Sequence, residues 1–233
     1  MFPYFGSKFR LAKKYPKPEF STIIEPFAGS AQYSLRYWEN DVILVDAYDV
    51  IINLWKWLQG CTEKDILGIR QMKLGECVDD FSWDCKEQKD LVGFIISAAP
   101  ESPRRMPTRW RTIDRPESQG KRLKYIAENL YKIRHWKFVQ GSYLLSPDIK
   151  ATWFIDPPYQ VAGKNYKVGN NLDYKALAFW IETRLGQKIV CESLGANWMP
   201  FKSKLGEIVG LRKKTTEVVL HISGKERQDI FSW

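Results

Sequence analysis

The chain has 233 residues, 44% of them hydrophobic and 14% aromatic, which suits one α/β domain with an insertion or two small domains and excludes a disordered tail. No stretch approaches the ~18 apolar residues of a membrane span, and Met1 to Lys8 is too short and polar for a secretory signal, so no membrane partner and a cytoplasmic location are expected. Cys61, Cys77, Cys85 and Cys191 form no Cys-x-x-Cys pair, and only His135 and His221 could join them, so neither a metal site nor a disulfide framework is expected; the formal net charge of +9 suits an acidic partner.

In chain order, Ser21 to Ile24 reads as a short buried strand ending at Glu25-Pro26-Phe27-Ala28-Gly29-Ser30-Ala31, and Ala31 to Asn40 carries a helical pattern. Asp41 to Asp46 is a second strand with an acid at its carboxyl end, followed by helical spacing over Val50 to Leu58. From Gln59 to Trp136 the strand signal disappears, leaving helical segments at Glu87 to Ala99 and Gly120 to Arg134 around a Pro- and Arg-rich middle. Strands resume at Lys137 to Val139, Thr152 to Ile155 and Lys188 to Cys191, with a terminal hairpin of Glu207 to Leu211 and Glu217 to His221.

Strands alternating with helices imply a mainly parallel sheet covered on both faces, in a Rossmann-like arrangement that places a nucleotide-type ligand at the carboxyl ends of the first strands. Asp46 stands 21 positions after Glu25, the distance at which such folds place an acid on ribose hydroxyls. The turn has one glycine where a dinucleotide fingerprint has three, and no P-loop Lys-Ser/Thr pair, which favours a cofactor without a pyrophosphate.

The positive charge is concentrated. Between Pro100 and Gln140 eleven Lys and Arg, among them Arg104, Arg105, Arg109 and Arg111, stand against four acids, and the interleaved prolines and Trp110 suit a surface that contacts phosphates and bases. Thr152-Trp153-Phe154-Ile155-Asp156-Pro157-Pro158-Tyr159 is an apolar strand that runs into an acid, two prolines and an aromatic. The prolines remove two backbone donors and leave carbonyl acceptors beside a carboxylate and a ring, a pocket suited to a flat, amino-bearing ring.

Three motifs in fixed order, Pro3-Tyr4-Phe5-Gly6-Ser7-Lys8, the turn at Glu25 to Ala31, and Asp156-Pro157-Pro158-Tyr159, make the chain resemble the S-adenosylmethionine-dependent DNA adenine-N6 methyltransferases of the Dam-like (D12) class, particularly short phage-type members. The resemblance covers nearly the whole chain and extends to Ile133 to Trp136, Gly141 to Tyr143 and Cys191 to Trp198. It implies an α/β, Rossmann-like class I methyltransferase fold with a mixed, mainly parallel sheet. Residues 1–58 and 137–233 would form the cofactor-binding catalytic domain, and 59–136 an inserted, helical, basic target-recognition region. It further implies that Tyr4, Gly6 and Lys8 contribute to the S-adenosyl-L-methionine site, that Glu25, Phe27 and Gly29 surround its methionine part, that Asp46 holds the ribose, and that Asp156 is the catalytic acid bordering the cofactor. Ala31 departs from a second glycine often found in the first-strand motif, and the region from Phe94 to Pro103 departs from Dam itself, so no target sequence carries over.

The expected chemistry follows from the substrate. The lone pair of an adenine amino group is delocalised into the ring, and two acceptors, the Asp156 carboxylate and the Pro157 carbonyl, would localise it by taking the two N6 hydrogens, with Tyr159 stacking on the ring. In double-stranded DNA the base must first be flipped out, with Arg104, Arg105, Arg109 and Arg111 as candidate DNA contacts. RNA adenine methylation, cytosine-N4 methylation and non-catalytic DNA binding on the same fold stay open as alternatives.

Overall fold

The computed structural model describes residues 1–8, 11–160, 172–201, 203–209 and 214–224. The chain opens with an N-terminal segment and then β1 (Thr22–Glu25), α1 (Gln32–Arg36), β2 (Asp41–Asp46) and α2 (Asp49–Gly60). Four helices follow, α3 (Glu63–Leu67), α4 (Lys86–Ile95), α5 (Arg109–Thr112) and α6 (Ser118–Ala127). The remainder is β3 (Lys137–Gln140), β4 (Ala151–Ile155), α7 (Tyr174–Thr183), β5 (Gly186–Ser193), β6 (Ser203–Val209) and β7 (Lys214–Ile222).

The strands form one seven-stranded sheet in the order β3-β2-β1-β4-β5-β7-β6. The first five neighbours pair in parallel, and β7 lies antiparallel to both β5 and β6. The sheet is therefore mixed and mostly parallel, compatible with a Rossmann-like fold. Chain direction reverses its progress across the sheet between β1 and β4, the switch point at which open α/β sheets leave a crevice beyond their strand ends. Glu25 closes β1, and Asp156 follows the last residue of β4.

Strand alternation sends neighbouring side chains to opposite faces. Ile23, Phe154, Ile189 and Cys191 join a core with the N-terminal segment and helices α2, α4 and α6, while Ile24, Trp153, Ile155 and Val190 meet Leu177, Trp180 and Ile181 of α7 on the other face. All five residues of β4 are buried, as a central strand covered on both sides requires. The region 59–136 contains helices and no strand, and its apolar residues belong to the first of these cores. Phe2 lies 5.3 Å, ring to ring, from both Trp55 of α2 and Phe94 of α4, so the N-terminal segment is packed between them.

Helical periodicity over Ala31 to Asn40 yields only α1, and Gly120 to Arg134 divides into α6 and a 3₁₀ turn at Leu130–Ile133. The expected strand Glu207–Leu211 is observed as β6 as far as Val209, and its last two residues lie outside the described residues. Helix α7 carries no expectation above. Asp173 caps it, its carboxylate accepting from the Lys175 and Ala176 amides at 2.9 and 3.1 Å.

Candidate functional site

A cleft opens at the carboxyl ends of β1, β2 and β4. It is lined by Tyr4 to Lys8, Glu25 to Gln32, Asp46 to Tyr48, Ser142, Tyr143, Phe154, Asp156, Pro158 and Leu172. Every residue expected at the cofactor site, Tyr4, Gly6, Lys8, Glu25, Phe27, Gly29, Asp46 and Asp156, is on this lining.

The turn after β1 depends on two left-handed residues, Gly29 (φ +44°) and Ala31 (φ +45°). A Cβ on Gly29 would stand 3.0 Å from Cδ1 of Tyr4, so the ring of the N-terminal motif rests on the bare backbone of the first-strand motif. Ala31 adopts a conformation that favours glycine, the residue often found there in the class the sequence resembles. At the end of β2, Asp46 accepts from the amide of Gly29 at 2.9 Å and from that of Tyr48 at 2.8 Å, which ties the two turns together. Burial pushes its carboxyl up to about 6. Glu25 is buried behind the turn, accepts from the Ser34 amide at 2.8 Å, and is pushed up to about 8, again mainly by burial.

The centre of the site is a buried ammonium. Lys8 Nζ lies 2.9 Å from Asp156 Oδ1 and 3.8 Å from Glu217 Oε1, donates to the Gly6 carbonyl at 3.1 Å, and sits 4.5 Å from the centroid of the Tyr159 ring. Lys8 is 4% exposed and Glu217 fully buried, so this contact is shielded from water. Burial raises the pKa of both Asp156 and Glu217, Lys8 opposing it in each case. Oxygen and sulfur atoms of Asp156, Cys191 and Glu217 lie within 4.8 Å of one another, around the position that Lys8 faces.

Glu217 has no counterpart in the sequence expectations. The hydroxyls of Tyr15 and Tyr159 both donate to its Oε1, at 2.7 and 2.6 Å. It comes from β7, opposite Ser193 of β5 and Gly206 of β6. Its only sequence signal was the acid at the head of an apolar run, which gains meaning once β7 is placed beside β5.

That hydrogen bond also places Tyr159. A ring free to stack on a substrate was the expectation, but the hydroxyl's bond to Glu217 draws the side chain inward until it is 8% exposed, and among the described residues it does not line the cleft. The rings at the cleft include Phe27 and Tyr143, with centroids 5.6 Å apart. Pro157, also expected at the site, is buried and is not on the cleft lining, whereas Pro158 is. The carbonyl of Pro158, expected as an open acceptor, takes the hydroxyl of Tyr174 at 2.7 Å. From the other side Glu192 accepts from the Gln160 amide at 3.0 Å and from Trp198 Nε1 at 2.9 Å, which assigns a structural task to the Cys191 to Trp198 segment.

The four arginines lie away from the cleft lining. Arg104 pairs with Glu101 at 3.2 Å, Arg105 with Asp79, and Arg109 with Asp114 at 3.6 Å, all three largely exposed. Arg111 is partly buried, donates to the Ser97 carbonyl at 3.3 Å, and lies 4.6 Å from the Trp110 ring, which Arg115 approaches to 4.8 Å. Of these acids only Asp79 lies outside the segment from Pro100 to Gln140 over which the charge was counted. Neither a family model nor a curated protein matches the chain.

Proposed function

We propose that the chain is a site-specific DNA (adenine-N6)-methyltransferase that uses S-adenosyl-L-methionine, on a class I methyltransferase variant of the α/β fold. The observation that carries this reading is the convergence of three separate motifs on one cleft at the switch point of the sheet, with Asp156 held against Lys8 at 2.9 Å. Fold alone would not support it, because many activities share such sheets.

The residues suit the cofactor. The bare backbone of Gly29 seats the Tyr4 ring at the cleft, the Asp46 carboxylate lies at the cleft with acceptor capacity beyond its two backbone bonds, and Asp156 borders the cleft as the acid a cationic ligand would meet. S-adenosyl-L-methionine would supply an electrophilic methyl group. The protein's part is orientation and charge. Asp156 and the Pro157 carbonyl would accept the two N6 hydrogens and draw the nitrogen's lone pair out of the ring. Lys8 opposes the upward pull of burial on the Asp156 carboxyl and so favours its ionised form, while Tyr174 and Glu192 fix the two sides of the loop that presents it.

Duplex DNA is the proposed partner because the surface from Arg104 to Arg115 combines guanidinium groups with an exposed aromatic. The test is to incubate the protein with methyl-labelled S-adenosylmethionine and unmethylated duplex DNA or total RNA, then identify the modified nucleoside. N6-methyladenine in DNA is expected. Label confined to RNA would redirect the reading to an RNA enzyme, and N4-methylcytosine would overturn the assignment of the base.

A further inference from the structure

We infer that Glu217 is a positioning and proton-holding residue: with Asp156 and Lys8 it forms a buried cluster that carries one exchangeable proton, given up when a cationic methyl donor binds and regained when the donor becomes a neutral thioether. The inference deepens the reading above and rests on it.

The geometry supplies the argument. Two carboxylates face one buried ammonium, with Lys8 Nζ 2.9 Å from Asp156, which borders the cleft, and 3.8 Å from the fully buried Glu217. If both acids were ionised the cluster would hold one uncompensated negative charge, which is costly because Glu217 is fully buried. The shorter contact favours ionisation at Asp156, leaving the proton with Glu217, whose Oε2 has no hydrogen-bond partner among the described residues. The groups packed around Glu217 are Lys8, Asp156, Tyr15, Tyr159 and Cys191, and among these Lys8 alone is a cation. Asp156 opens the cluster to the cleft. A cation bound there substitutes for the proton.

The balance of the reaction closes on the same cluster. Methyl transfer converts a sulfonium and an amine into a thioether and a methylamine, and it releases one proton from N6 as the new C–N bond replaces the C–S bond. That proton passes to Asp156, the acceptor already on N6, and is shared with Glu217. The resting charge of the cluster is thereby restored.

Isothermal titration calorimetry tests this without turnover. S-adenosylmethionine and S-adenosylhomocysteine are titrated into the protein between pH 6 and 7, where the α-ammonium of both is charged, in buffers of different ionisation enthalpy. The expected result is release of about one proton with the sulfonium and none with the thioether, so that only the sulfonium's affinity rises, by up to about tenfold per pH unit. Glu217→Gln should abolish the difference and weaken S-adenosylmethionine selectively. Equal proton counts for the two ligands in the unaltered protein would overturn the inference and leave the cofactor reading standing. A difference that survives Glu217→Gln and vanishes in Glu25→Gln would move the proton to Glu25. Binding of neither ligand would overturn both readings.

Discussion

The hydroxyl of Tyr174, in the first turn of α7, donates to the carbonyl of Pro158 at 2.7 Å, so a helix on one face of the sheet fixes the loop that presents Asp156 on its edge. Tyr174→Phe removes this bond and leaves the ring beside Trp198. The expected cost is about 1 kcal/mol of stability, with kcat lowered about tenfold and the KM for the methyl donor little changed. Steady-state kinetics beside urea unfolding separate the two effects, and an unchanged kcat would deny the loop's orientation any catalytic part.

Asp156→Ala should lower methyl transfer by at least ~10³-fold and leave duplex DNA affinity unchanged, because the arginine surface lies away from the cleft lining. A filter-binding titration and a single-turnover assay on the same preparation check both halves. Retained turnover would remove Asp156 from the chemistry.

Gly29 and Ala31 share a left-handed backbone but respond oppositely to substitution. Gly29→Ala adds a Cβ 3.0 Å from the Tyr4 ring as well as φ strain, and should cost more than ~1 kcal/mol and raise the KM for the cofactor. Ala31→Gly relieves the strain, and its urea midpoint should not fall.

Stability should decline from pH 6 to pH 8. Glu25 has a folded pKa of about 8 against an ordinary 4.5, so the folded chain holds its proton more tightly than the unfolded one. The contribution is complete below pH 4.5 and is lost as pH rises through about 8, by roughly 2–3 kcal/mol over this interval. Asp156 and Glu217 are shifted in the same direction. Urea unfolding of the unaltered chain and of Glu25→Gln across this range should give a steeper slope for the former, and parallel slopes would show that Glu25 does not titrate there.

Asp79 accepts contacts from both Arg105 and Lys89. Asp79→Asn should release them, strengthen duplex DNA binding and steepen its salt dependence, while joint neutralisation of Arg104 and Arg105 should weaken binding and flatten it. If neither variant moves the slope, these side chains are not phosphate contacts.

The parallel half of the sheet was legible because β1, β2 and β4 are short apolar runs that stop at an acid or a proline, and sheet order then forces those stops onto one edge. The lining from Tyr4 to Asp156 followed from motif order. What sequence could not supply was direction: Tyr159 looks like an open ring until a hydroxyl partner 58 positions away turns it inward. Tyr174 and Glu192 were hidden for the same reason, since an ordinary helical tyrosine and a strand acid become clamps only when α7 and β5 flank the loop. The acid partners of Arg104, Arg105 and Arg109 were likewise not legible, since pairing such as that of Arg105 with Asp79 joins positions far apart in the chain.

The antiparallel pairing of β7 with β5 has a consequence for dissecting the chain. A fragment ending after β5 would retain every motif residue that identifies the cleft and would still lack the acid that anchors Tyr15 and Tyr159. The minimal unit that completes this site is therefore longer than its motifs suggest, and complementation by a separately expressed β6–β7 hairpin would be a direct measure of how much of the site is supplied from that last strand.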